Sequence, residues 1–366
     1  MLIAGGGTGG HLFPGIAIAE EFLSRDNNNK VIFVGTKKGI EHRILGKLGF
    51  ELQEIDVEGV KGRGGKALMK VTYQIPHSIW QSRRILKQFG PDIVIGVGGY
   101  ASGPAVVAAK MMGIPTAIAE QNAVPGITNR ILGKFADVIF VTYAQTKDLF
   151  GGHKVIVSGN PVRKEFAKVR KAANEEKDYR QLLIFGGSQG AAAINRNVVS
   201  MIPQLSKLGQ KVRVLHQTGE RDLETVRKSY AEYGIDADVR SFIYNMAEAY
   251  NAADLVVCRA GATTLAEITA AGKAAIVIPY PWAANDHQTK NAEALASAGA
   301  ALMINENELT CDKLFDAIEE LLINKHKLRQ MEEKSVKLGN VKAAARIIDE
   351  CLALANNESG LLLAKK

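Results

Sequence analysis

Five glycines fall within six residues at Gly5-Gly6-Gly7-Thr8-Gly9-Gly10, and His11 follows directly. Glycine lets a backbone take positive φ and come close to a ligand. Leu12, Ile16, Ala19 and Leu23 then repeat at helical spacing, so a strand ends here and a helix begins. A helix N-terminus offers unpaired N–H groups and a partial positive charge, which suits an oxygen-rich or anionic ligand. His11 stands at the rim of that turn, with a side chain whose ordinary pKa of about 6.5 allows proton transfer at neutral pH.

Gly5, Gly7 and Gly10 formally fit G-x-G-x-x-G. A dinucleotide fingerprint also needs an acid about 20 residues on, at the end of the second strand. Here that strand runs Val31-Ile32-Phe33-Val34-Gly35-Thr36 into Lys37-Lys38, with no acid. An NADP site using Lys37 and Lys38 stays open, as does a tight turn with no ligand.

The same device recurs. Gly98-Gly99-Tyr100-Ala101-Ser102-Gly103-Pro104 follows an apolar strand at 93–97, and Pro104 is placed to start a helix. Leu182–Phe185 leads into Gly186-Gly187-Ser188-Gln189-Gly190. Arg259-Ala260-Gly261-Ala262-Thr263-Thr264-Leu265-Ala266-Glu267 opens another helix after Leu255–Cys258. Glu267 can accept two ribose hydroxyls there, or it can be an acid favoured by the helix dipole. The loop 279–291 then brings Asn285, Asp286, His287, Gln288 and Asn291 together, with donors and acceptors for sugar hydroxyls.

The elements that must carry these turns are legible as apolar runs. Strands are expected around Ile3 and at 31–34, 93–97, 116–119, 138–141 and 155–157, then at 182–185, 212–215, 239–243, 255–258, 275–278 and 301–304. Near-continuous apolar strands separated by helices indicate α/β architecture with parallel sheets covered on both faces. The first strand is short, as in a chain slightly trimmed at Met1. A charged stretch at 164–180 separates two such series, which gives an N-terminal domain at 1–160 and a C-terminal domain at 161–340. The helix at 341–356 is expected to cross back onto the first domain. Two doubly wound domains, each with glycine-rich helix starts, would face a cleft.

Residues 61–89 stand apart: Lys61, Arg63, Lys66, Lys70, Arg83, Arg84 and Lys87 are interleaved with Leu68, Met69, Tyr73, Ile75, Ile79 and Trp80, and Pro76 interrupts the helical pattern. A cationic rim around Ile75, Ile79 and Trp80 suits an anionic bilayer surface. An amphipathic helix that buries Ile79 and Trp80 in the core is the equal alternative.

With 366 residues, 46% hydrophobic and 23% charged, the chain reads as an ordinary globular protein. No apolar run approaches the ~18 residues needed to span a bilayer, and no export signal is visible, so a cytosolic location is expected. The three cysteines lack metal-ligand spacing and suit reduced thiols. Net charge is +8, and residues 1–160 hold 18 Lys and Arg against 12 Asp and Glu, so the first half carries most of the excess. Such a bias fits nucleic acid, anionic lipid or a phosphorylated substrate.

Taken in order, Gly6–His11, Gly98-Gly99-Tyr100 with Ser102-Gly103-Pro104, Glu120-Gln121-Asn122, Gly159-Asn160-Pro161-Val162-Arg163, Gly186–Gly190, Gly261–Glu267 and Asp286-His287-Gln288 with Asn291 closely resemble the MurG family of bacterial N-acetylglucosaminyltransferases. The resemblance covers essentially the whole chain. It implies a two-domain GT-B enzyme that moves GlcNAc from UDP-GlcNAc to the MurNAc 4-hydroxyl of undecaprenyl-pyrophosphoryl-MurNAc-pentapeptide (lipid I), with inversion, to give lipid II in peptidoglycan synthesis. It implies a peripheral protein at the cytoplasmic face of the inner membrane, an anionic membrane surface and other cell-wall enzymes as partners, and no nucleic acid. By family position, Thr8, Gly9, Gly10, Asn122, Arg163, Ser188, Ile243, Ala262, Thr263, Thr264, Leu265, Ala266, Glu267 and Gln288 contact the donor, and Asn291 helps read the sugar. Ile243 is expected at a strand end, where its backbone could read uracil.

His11 is the first candidate for catalytic base and Glu120 the second. The residue before Glu120 is often His in that family and is Ala119 here, which favours His11. No Asp-x-Asp motif is expected near a strand end in the cleft, so no obligatory metal held by the protein is expected, although magnesium can help screen a pyrophosphate. Three rival readings remain: a UDP-sugar 2-epimerase on the same architecture, an NAD(P)-dependent oxidoreductase, and a non-catalytic protein of the membrane surface.

Overall fold

The computed structural model describes residues 1–37, 40–57, 65–151, 154–169, 178–187, 189–209 and 211–363, with side chains 43, 65–73, 167–169 and 357–363 also outside the description. The chain forms two compact units: Met1–Arg163 together with Lys342–Lys366, and Lys164–Val341.

The first unit is built on seven parallel strands: β1 (Leu2–Ala4), β2 (Ile32–Thr36), β3 (Glu51–Ile55), β4 (Val94–Gly96), β5 (Thr116–Glu120), β6 (Val138–Val141) and β7 (Val155–Val157), in the order β3-β2-β1-β4-β5-β6-β7. The second has six: β8 (Arg180–Phe185), β9 (Val212–Gln217), β10 (Asp236–Arg240), β11 (Leu255–Cys258), β12 (Ala274–Val277) and β13 (Leu302–Met303), in the order β10-β9-β8-β11-β12-β13. Strand order reverses between β1 and β4 in one sheet and between β8 and β11 in the other. Open parallel sheets bind ligands outside the carboxyl ends of the strands at such a reversal. All four glycine-rich turns found in the sequence lie there.

Two strands differ from expectation. β3, Glu-Leu-Gln-Glu-Ile, is an edge strand whose first residue is exposed and only whose last is buried, so it carries no apolar run to be read. β10 spans Asp236–Arg240 rather than 239–243, again at a sheet edge and largely polar, and Ile243 lies beyond it in a loop. The helix Gly65–Phe89 runs unbroken through Pro76, against the expected interruption. Within it Ile79 packs beside Val57, Ile85 and Phe89 on the core around Leu86 and Val94, so Ile79 is withdrawn from the surface group. Ile75 and Trp80 are 47% and 58% exposed, and Arg83 and Arg84 are exposed as well. Lys61 and Arg63, and the side chains of Lys66, Leu68, Met69, Lys70 and Tyr73, lie outside the described residues.

The C-terminal helix Ala343–Leu363 is part of the first unit. Its Ile347, Ile348 and Cys351 enter the core that holds Ile16 and Phe22 of the helix Gly9–Leu23. Arg25 pairs with Asp349 at 3.1 Å, and Arg346 donates to the Val157 carbonyl at 2.8 Å. Burial pushes the Cys258 and Cys351 thiols well above the usual range, so both stay protonated and act as small apolar groups.

The second unit buries a polar network at β9. His216 is fully enclosed, with Nδ1 3.2 Å from the Tyr230 hydroxyl and Nε2 3.2 Å from Asn195 Oδ1. Desolvation drives its pKa down to about 3 from 6.5. The folded protein therefore keeps this ring neutral where the unfolded chain takes up a proton, so stability is full above about pH 6.5 and is lost as pH falls from there toward 3. Urea unfolding followed between pH 7 and 4.5 will show a falling midpoint for this unit, and a His216→Gln variant will lose part of that slope.

Candidate active site

In the first unit the turn after β1 and the turn after β4 touch backbone to backbone. Gly98 and Gly99 have φ of +97° and +81°. A Cβ on Gly99 would stand 2.5 Å from the Gly6 carbonyl oxygen, and one on Gly98 would stand 2.6 Å from the His11 ring. Ser102, fully buried, ties the two turns by accepting the Gly98 N–H at 3.0 Å and donating to the Ala4 carbonyl at 2.9 Å. His11 is half-exposed, with its ring against Gly98 and its Nδ1 3.3 Å from Thr8 Oγ1. Its neighbour Thr8 precedes the first helical residue, Gly9, and no side chain caps that helix start.

Beneath the first turn lies a residue that no sequence pattern singles out. Glu41 is fully buried; it accepts the Gly7 N–H at 2.9 Å on one oxygen, and the Thr36 N–H and hydroxyl at 2.9 and 3.1 Å on the other. Side chains at Gly6 or Gly35 would collide with it. Lys37 is held by Asp56 at 2.8 Å, and Gln81 donates to the same carboxylate at 2.8 Å. Lys37 and Gln81 together hold the Asp56 carboxyl below its usual range. With Lys37 engaged this way and Lys38 outside the described residues, the 2′-phosphate site of the NADP reading loses its one described cation.

Glu120 does not suit the role of base. It is 3% exposed; one oxygen accepts both Asn122 N–H groups at 2.9 and 3.1 Å, and the other accepts from Gly126 N and Asn129 Nδ2 at 3.0 and 2.9 Å. Four donors occupy a carboxylate that has about four acceptor sites, which makes it a brace for the loop 120–126. Through it Asn122 is oriented. Arg163 is half-buried and lies over the Phe13 ring, 5.0 Å from the centroid, which fixes it beside the same helix start. Asn160, in the same motif, is 4% exposed and makes no side-chain hydrogen bond among the described residues.

In the second unit the pattern repeats. A Cβ on Gly190 would lie 1.8 Å from the Thr218 carbonyl oxygen, and one on Gly219 would lie 2.3 Å from that of Gln189, so two turns again interlock through glycine alone. Ser188 lies outside the described residues. Ile243 is 2% exposed, and its N–H is taken by Gln217 Oε1 at 2.7 Å, so the expected strand-end reading of uracil does not hold for that N–H.

The helix Ala262–Ala271 starts at Gly261 with no side-chain cap. Ala262, Thr263 and Leu265 are buried, Thr264 and Ala266 are half-buried, and this stretch offers a ligand its backbone more than its side chains. Glu267 is the sixth residue of the helix, past the first turn, which removes the dipole as the reason for an acid there. It is 7% exposed and accepts from the Tyr250 hydroxyl at 3.4 Å.

Arg259 anchors the following loop: it donates to the carbonyls of Ile278 and Pro279 at 3.2 and 3.1 Å and pairs with Glu306. Gln288 Oε1 accepts the Tyr280 N–H at 2.9 Å. Asn291 is fully enclosed and donates to the Ala260 carbonyl at 3.4 Å, so it braces the turn before Ala262 rather than presenting itself to a sugar. Asn285 and Asp286 both hold φ of +54°, an unfavourable state for residues with a side chain that Asn and Asp tolerate best. Among the described residues no cluster of three or more His, Cys, Asp or Glu could hold a metal.

Comparison with known proteins agrees with this layout. The family models for the glycosyltransferase family 28 N-terminal and C-terminal domains match residues 1–141 and 181–350. A Syntrophus aciditrophicus protein named UDP-N-acetylglucosamine--N-acetylmuramyl-(pentapeptide) pyrophosphoryl-undecaprenol N-acetylglucosamine transferase is 53% identical over 97% of this chain and 98% of its own length. A Geobacter sulfurreducens protein of the same name is 49% identical over 98% of this chain and 99% of its own. The crystal structure of Acinetobacter baumannii MurG superposes with a TM-score of 0.76 at 32% identity, covering 96% of this chain and 99% of that one. UDP-GlcNAc 2-epimerase from Neisseria meningitidis, at 14% identity and a TM-score of 0.68 over 96% and 99% of the two chains, shares the fold alone.

Glu41 gives this site a stability test. Removing this fully buried carboxylate takes the acceptor from the exposed Gly7 N–H and from the half-buried Thr36 N–H and hydroxyl, so Glu41→Ala should cost the first unit about 2 kcal/mol, read by denaturant unfolding.

Proposed function

The chain belongs to glycosyltransferase family 28, and from that membership we infer that it transfers GlcNAc from UDP-GlcNAc to the MurNAc 4-hydroxyl of lipid I, forming lipid II for peptidoglycan. The observation that carries this reading is full-length relatedness, 53% identity over 97% of the chain, to a protein named for that transfer. The epimerases share only architecture.

The described geometry supports a division of labour. The second unit holds the nucleotide: the turn 186–190 and the helix start at Ala262 offer N–H groups to the pyrophosphate, and Glu267 accepts the ribose hydroxyls. Gln288 meets the sugar. The first unit serves the reacting end. His11 Nε2 takes the proton of the acceptor 4-hydroxyl as its oxygen bonds to C1 of GlcNAc. The bond from C1 to the phosphate oxygen breaks on the opposite face, and its electron pair leaves with UDP. Thr8, Gly9 and Gly10 approach the substrate through their backbone, Asn122 reads the donor sugar, and Arg163 offsets charge on the departing UDP. Asn291 and Glu120 act by holding these groups. Arg163 and the helix starts screen the pyrophosphate, and magnesium can assist from solution.

Contact with an anionic membrane surface would bring the enzyme to its lipid-linked acceptor. Exposed Ile75 and Trp80, flanked by exposed Arg83 and Arg84, support a peripheral attachment at the cytoplasmic face. Among the described residues no helix is long and apolar enough to cross a membrane.

The direct test is transfer of labelled GlcNAc to a short-chain lipid I analogue with UDP release followed in parallel. Stoichiometric product and UDP are expected, whereas UDP-ManNAc formed from UDP-GlcNAc alone would point to the epimerase. His11→Ala should lower turnover at least about 100-fold with donor affinity nearly unchanged. Replacing Ile75 and Trp80 by Ser should weaken binding to anionic vesicles and leave UDP binding intact.

A further inference from the structure

Gln217 is the last residue of β9, which lies between β8 and β10 in the sheet. β8 runs into the turn 186–190, and β10 leads to Ile243. From that position a single side chain spans both loops: Nε2 donates to the Gly187 carbonyl at 2.7 Å, and Oε1 accepts the Ile243 N–H at 2.7 Å. The residue is 3% exposed; its bond to Ile243 is buried and its bond to Gly187 partly so. On the far side of Gln217, Thr218 and Gly219 interlock with Gly190 and Gln189 at distances that admit no Cβ. The turn assigned to the pyrophosphate and the Ile243 segment, which the family resemblance sets against uracil, thus share one support.

We propose that Gln217 is a positioning residue for nucleotide recognition, fixing the spacing between the Gly187 turn and the Ile243 segment so that a uridine diphosphate meets both at once. This rests on the donor assignment made above. The two ends of the amide are chemically distinct, one a donor and one an acceptor, and the bridge needs both. An ionised Glu of the same size accepts from Ile243 but sets an oxygen against the Gly187 carbonyl. A protonated Glu restores both bonds, with its O–H donating to Gly187 and its C=O accepting from Ile243. Met fills the volume and makes neither. Without the bridge the loops must be ordered when the nucleotide binds, and affinity falls by that ordering cost.

The experiment measures UDP affinity by calorimetry for the full-length wild type, Gln217→Glu and Gln217→Met from pH 8 to 5.5. The expected result is a loss of at least tenfold in both variants at pH 8. Relative to wild type, the Glu variant then recovers as pH falls and the Met variant does not. Turnover at saturating UDP-GlcNAc should change less than KM. Wild-type affinity in both variants would overturn the proposal, and so would an equal loss in both at every pH, which would assign the effect to packing alone. Should the Met variant fail to fold, the presence or absence of pH recovery in the Glu variant decides. Failure of the wild type to bind UDP would instead overturn the donor assignment itself.

Discussion

The first unit depends on a contact that no side chain can enter. Gly5 and Gly99 bring two turns together so closely that a methyl group on either would lie within 2.6 Å of the opposing backbone, and one on Gly98 would lie 2.6 Å from the His11 ring. The contact falls where strand order reverses between β1 and β4, the one place in such a sheet where neighbouring loops diverge and leave a crevice. His11 rests on one side of it, against Gly98, and the Glu41 carboxylate holds it from below through Gly7. Backbone packing of this kind is rigid, because there is no rotamer through which it can relax. A group that must meet a hydroxyl in one orientation benefits from such a mount.

The second unit solves the same problem with the same means, at Gly190 and Gly219, yet its chemistry differs. Around its turns stand Gln217 and Arg259, each bonded to a loop, and Glu267, which accepts from Tyr250 of the helix Met246–Ala252; all three are buried or nearly so. They fix the backbone for a ligand recognised by shape and hydrogen bonding. In the first unit the corresponding rim carries a half-exposed His and a half-exposed Arg, groups suited to protons and charge in motion. On the proposed function, this contrast suits the second unit to the nucleotide and the first to the reacting end.

Much of this was legible in the sequence for a physical reason. Strands covered on both faces must be apolar throughout, and glycine-rich turns cannot be disguised, so the sheets and their turns could be read directly. β3 and β10 were missed or displaced because edge strands tolerate polar residues and show no such run. Glu41 and Gln217 stayed invisible because an isolated polar residue looks the same whether it faces water or braces a buried loop. Glu120 and Asn291 sit in recognisable motifs, but a motif does not show that their side chains are already bonded to neighbouring residues. Ile79 and Trp80 are adjacent on one helix, and the 100° between successive residues sends one toward the core and the other to solvent.

The central claim is that the first unit's interlocked turns serve the reacting end while the nucleotide is held by the second. The most direct measurement is UDP affinity set beside GlcNAc transfer in a Gly98→Ala variant, whose added methyl presses on the His11 ring. The account predicts UDP affinity within about twofold of wild type and transfer reduced at least about tenfold. A fall in UDP affinity that matches the fall in transfer would contradict it.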